Sequence, residues 1–110
     1  MTKTQLRHEQ GEGIAVMVNE ELKMANGLYP VFNSPMEGLG VLQEECYEAK
    51  KDWNLIWMEY DALQYFLCQH QTKAAADVAM KMKLRAMETM RELVQVAAMC
   101  QKFIDSEVLW

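Results

Sequence analysis

The sequence predicts an all-α protein: a short N-terminal helix plus a long antiparallel helical hairpin, assembling into a four-helix-bundle-type oligomer. Three observations carry this expectation. Apolar residues recur at helical spacing over most of the chain. Ser34-Pro35-Met36-Glu37 is a strong helix start. Two long stretches, 41–70 and 73–105, contain no breaker and are separated by one polar gap.

Residues 1–12 (MTKTQLRHEQGE) are polar and lead into Gly-Glu-Gly, so they are expected as a flexible leader to a single domain over 13–110. Between Ile14 and Ala25 the apolar residues Ile14, Met17, Val18, Leu22 and Ala25 keep helical spacing, and Asn26-Gly27 supplies the stop. The next segment, Leu28-Tyr29-Pro30-Val31-Phe32-Asn33, carries a proline and large apolar groups, which suggests an ordered connection tucked against the helices.

Helix two is expected to open with Ser34 as N-cap, Pro35 at the first helical position and Glu37 completing a capping box. Leu42, Tyr47, Trp53, Ile56, Trp57, Tyr60, Leu63 and Phe66 then form a broad apolar band on a helix roughly 50 Å long. The gap Gln69-His70-Gln71-Thr72 marks the reversal, with Thr72 able to cap the helix over 73–105. Two long helices joined by a tight turn pack antiparallel.

Composition narrows the function. With 110 residues, 51% hydrophobic and 25% charged, the chain is long enough for one folded domain. A net charge of -5 argues against a nucleic-acid partner, since neutralising phosphates needs clustered Lys and Arg. An acidic protein can still hold a phosphorylated small molecule through a bridging cation. Cys46, Cys68 and Cys100 form no metal-ligand or disulfide pattern. No apolar run spans a bilayer and no signal-peptide core opens the chain, so no membrane partner and a cytoplasmic location are expected.

Glu44, Glu45 and Glu48 crowd one helix face, a pattern that in an acidic chain also describes a merely solvated surface. The register adds weight to the first reading. With a reversal near Gln71, Glu45 and Glu48 lie about 26 and 23 residues before it, and Glu92 and Gln95 about 21 and 24 after it. Two i, i+3 pairs therefore face each other across the hairpin. Opposed carboxylates repel unless protonated or neutralised, and such oxygen-rich surroundings suit Mg²⁺ or Mn²⁺.

The pattern E-E-x-x-E, followed on the next helix by Glu92 and Gln95, resembles that of the all-α nucleoside triphosphate pyrophosphohydrolases, the MazG-like proteins, and specifically a small phage and prophage branch. The resemblance runs from about Glu20 to Ile104. It is carried by Ala25-Asn26, the segment from Tyr29 to Pro35, Glu37-Gly38, the segment from Val41 to Glu45, and the segment from Glu92 to Met99. It implies a Mg²⁺ site from Glu45, Glu48 and Glu92, with Gln95 standing where the enzymes carry Asp, and Glu44 as an auxiliary carboxylate. It also implies metal-assisted attack of water on a nucleoside triphosphate, releasing pyrophosphate and a monophosphate. Gln95 lowers the charge of the ligand set. A second expectation is therefore a nucleotide-binding protein that sequesters a nucleotide or nucleotide-derived signal without cleaving it, for instance in phage counter-defence.

Three further residues are candidates for nucleotide contact. Gly38 and Gly40 sit in the first turns of helix two, where glycine costs about 1 kcal/mol. A neighbouring helix explains such a position, and space for a base or sugar at Gly38 is the functional alternative. Tyr29 and Trp53 are able to stack on a base, although aromatics at helical spacing also serve cores and interfaces. The ten methionines and the small residues of helix three point to an apolar surface that one chain does not cover, hence a homodimer or homotetramer.

Overall fold

The computed structural model describes residues 1–27 and 29–110. It contains three α-helices, α1 (Lys3–Ala25), α2 (Pro35–Cys68) and α3 (Thr72–Ser106), and a closing 3-10 turn over Glu107–Leu109. No strand occurs among the described residues. No described helix is long and apolar enough to cross a membrane.

α1 begins eleven residues earlier than Ile14, where the apolar periodicity starts, so residues 3–12 are helical turns where a leader was expected. The reason is local. Gln5 N–H donates to Thr2 Oγ1 at 3.1 Å and Thr2 N–H donates to Gln5 Oε1 at 2.8 Å, a capping box that satisfies donors at the helix start. His8 and Glu12 add an exposed i, i+4 pair at 3.0 Å. None of the 23 residues of α1 is buried, which is why its first half carries no apolar signature. Asn26 closes the helix, as its position before Gly27 suggests.

Leu28 lies outside the described residues. In the rest of that connection Tyr29 and Pro30 are exposed, whereas Phe32 is 3% exposed and its N–H donates to Ser106 Oγ at 2.9 Å. Ser106 Oγ in turn donates to the Lys102 carbonyl at 2.6 Å, so one fully buried hydroxyl ties the entry of α2 to the end of α3.

At the α2 start, Glu37 N–H donates to Ser34 Oγ at 3.1 Å, as a cap requires. Glu37 Oε2 reaches back to the N–H of Asn33, one residue beyond the N-cap of a reciprocal box. At its C-terminal end Gln71 N–H donates to Phe66 O at 2.9 Å and His70 N–H to Leu67 O at 3.0 Å. These bonds form a Schellman motif, and they hold His70 at φ 58°, the left-handed conformation that glycine usually fills. Ala75 N–H donates to Gln71 O, so Gln71 takes the N-cap position of α3 expected for Thr72, which is already helical.

Cα packing divides the chain into two compact units, one of residues 1–45 and 94–110, the other of residues 46–93. The first is built on Phe32, Ala98 and Met99, with Val18, Leu22, Val41, Leu42 and Phe103 against them. Gly38 belongs here: a Cβ on it would stand 2.6 Å from Phe103 Cδ2 and 3.0 Å from Phe32 Cδ2. The space at Gly38 is thus taken by two phenyl rings, which corrects its assignment to a base or sugar. Around Gly40 nothing lies within 4 Å.

The second unit is the hairpin itself, the C-terminal half of α2 returning through the turn into α3. Its buried hydrophobic side chains are Ala49 and Ala75 alone. Small residues at those positions let the helices approach closely, and Leu55, Ile56, Leu63, Phe66, Val78 and Met82 are half-buried.

Candidate functional site

Within the hairpin unit the polar side chains gather around Glu92 of α3, which is only 8% exposed. Asp52 on α2 is its strongest electrostatic partner, and Glu88 and Glu48 add further negative charge. Burial first, then hydrogen bonding to Asp52 and repulsion from Asp52, Glu88 and Glu48, pushes the Glu92 carboxyl up to about 7. Its Oε2 is buried with no hydrogen-bond partner among the described residues. An orphaned carboxyl oxygen of this kind is costly and needs a reason.

The second focus is Arg85, also on α3. Its Nε donates to Glu59 Oε1 at 2.7 Å and its Nη1 lies 3.8 Å from Asp52 Oδ1. The two carboxylates hold the guanidinium above its ordinary value, the hydrogen bond to Glu59 being the largest cause. Buried Thr89 donates its Oγ1 hydrogen to the Arg85 carbonyl at 2.9 Å, which satisfies the hydroxyl inside the helix. Glu88 pairs with Arg91 at 2.6 Å, and this guanidinium holds the Glu88 carboxyl below its ordinary value. The hairpin therefore pairs Asp52 and Glu59 with Arg85 and Glu88 with Arg91, while Glu92 feels the negative charge of Asp52, Glu88 and Glu48.

The carboxylates picked out by sequence divide between the two units. Glu48, exposed, and Glu92, buried, belong to the hairpin unit and interact electrostatically. Glu44, exposed, and the half-buried Glu45 and Gln95 belong to the first unit. Among the described residues, no three His, Cys, Asp or Glu side chains converge closely enough to hold a metal ion. Tyr29 is 72% exposed. Trp53 is half-exposed, stacks edge-on against Trp57 with ring centroids 6.0 Å apart, and lines an apolar groove of about 360 Å³ with Ile56, Trp57, Tyr60 and Met82.

Asp52, Glu59 and Arg85 escaped the sequence reading, although a signal was present. Asp52 follows Glu48 by four residues and Arg85 precedes Glu92 by seven, so each shares a helix face with a residue already chosen. In comparisons with known proteins, no family model, no curated protein and no solved structure matches this chain.

Proposed function

We propose that the hairpin binds a divalent cation and, through it, the phosphate chain of a nucleotide, as a pyrophosphohydrolase of the MazG-like kind does. The observation that carries this reading is the buried, partnerless Oε2 of Glu92 beside Asp52, Glu48 and Glu88. A divalent cation removes that repulsion by replacing the Glu92 proton with two positive charges. Glu92 and Asp52 would supply donors, and exposed Glu48 has the rotamer freedom to join them. A closed cage is not required, because Mg²⁺ keeps several waters and commonly takes one or two carboxylates plus substrate phosphates.

When bound, the cation polarises phosphoryl oxygens and lowers the pKa of the attacking water. Arg85 lies 2.7 Å from Glu59 Oε1 and 3.8 Å from Asp52 Oδ1, which orients both side chains toward α3. The substrate class is a nucleoside or deoxynucleoside triphosphate, split into monophosphate and pyrophosphate. Gln95, an amide where the resembling enzymes carry Asp, favours a second reading in which the nucleotide is held without turnover.

A nucleotide panel with Mg²⁺ or Mn²⁺, followed for pyrophosphate release and by calorimetry, separates the two. Turnover lost by at least ~100-fold in Glu48→Gln supports hydrolysis. Metal-dependent binding with no release supports sequestration. Absence of both, with or without metal, removes the proposal.

A further inference from the structure

Arg85 is fixed at one nitrogen and open at the other two. Its Nε donates to Glu59 Oε1 at 2.7 Å, whereas Nη1 stands 3.8 Å from Asp52 Oδ1, beyond hydrogen-bond distance. Neither Nη1 nor Nη2 makes a hydrogen bond among the described residues. The side chain is 35% exposed, so the N–H donors of this planar fork stay within reach of a ligand. The anchor, by contrast, is costly. Glu59 exposes 17% of its side chain, and its Oε2 is buried with no hydrogen-bond partner among the described residues. A pair that strands a carboxylate oxygen away from water is weak evidence for stability and calls for another reason. What the Glu59 bond does achieve is a guanidinium held in one orientation, its side-chain entropy already lost, as a preorganised anion ligand requires.

Position indicates which anion. Asp52 neighbours Arg85 Nη1 and also interacts with Glu92, which lies seven residues, about two helical turns, along α3 from Arg85. Without a metal, Asp52 and Glu59 outweigh the single guanidinium charge, so a bare anion is repelled. A divalent cation at Asp52 and Glu92 reverses that sign and leaves the fork beside the anion that the cation carries.

We infer that Arg85 grips the polyphosphate of the nucleotide through its two Nη atoms while Glu59 holds Nε. The fork matches two oxygens of one phosphate, which an ammonium cannot do. The inference rests on the cation reading of the hairpin, and it adds a contact that favours a polyphosphate over water as the remaining ligand of the cation.

Calorimetry of the full chain with two probes, Mn²⁺ alone and inorganic triphosphate in the presence of Mn²⁺, tests it. The wild type binds both, and triphosphate binding disappears in EDTA. Arg85→Gln lowers triphosphate affinity by at least ~10-fold, and affinity for Mn²⁺ alone does not fall. Arg85→Lys keeps the charge and loses the fork, so it lowers triphosphate affinity by at least ~5-fold, and it gives the reading should Arg85→Gln not fold by circular dichroism. Triphosphate held as tightly by these variants as by the wild type, or as tightly in EDTA, overturns the inference, as does a wild type that takes Mn²⁺ and no triphosphate. Loss of Mn²⁺ and triphosphate affinity in equal measure overturns it too, because that is the result of a merely structural tie between the helices. A wild type that binds neither probe removes the cation reading itself.

Discussion

Glu92 is the residue whose surroundings decide most. A carboxyl held at about 7 in the folded chain and near its ordinary 4.5 when unfolded keeps its proton preferentially in the fold. Its contribution to stability is fully present below the unfolded value and disappears as pH rises through about 7. In metal-free buffer the melting temperature is therefore expected to fall between pH 5 and 8, about those two limits. Glu92→Gln, neutral throughout, should flatten that slope in a thermal melt followed by circular dichroism. A slope unchanged by the substitution would place the pH dependence on another group. Asp52, which hydrogen-bonds and repels Glu92, also lies 3.8 Å from Arg85 Nη1.

At the scale of elements, glycine and the left-handed turn give opposite expectations at nearby sites. Gly38→Ala adds a methyl group into the rings of Phe103 and Phe32, and a destabilisation of about 1–3 kcal/mol is expected in spite of alanine's higher helix propensity. Gly40→Ala meets open space, so only the propensity gain of roughly 0.5–1 kcal/mol remains. Urea unfolding of the two variants checks both signs at once. His70 holds a left-handed conformation in the α2 to α3 turn, and His70→Gly should stabilise the hairpin by about 0.5–1 kcal/mol. A loss of stability there would mean that the imidazole makes a contact worth more than the backbone strain. α1 teaches a different lesson: its first half is exposed throughout and packs on the core only farther along, through Val18 and Leu22, so the capping box at Thr2 and Gln5 sets where it begins.

For the whole molecule, the hairpin unit fully buries Ala49 and Ala75 among its hydrophobic side chains, while Leu55, Ile56, Leu63, Phe66, Val78 and Met82 are half-buried. The all-helical class, the stop at Asn26, the cap at Ser34 and the reversal before Thr72 were legible in the amino-acid sequence. Each is decided by hydrogen bonds or apolar spacing within a few residues, and such interactions are written locally. The opposition of Glu48 and Glu92 could also be counted from the turn, because helical rise is constant. What only the tertiary structure decided lies between residues distant in the chain: Asp52 beside Glu92, Arg85 between Asp52 and Glu59, and Phe103 filling the space at Gly38. Spacing along a helix names the face a side chain occupies. Which side chain meets it from the other helix depends on interaxial approach and rotamer, and these exist only once the helices have packed.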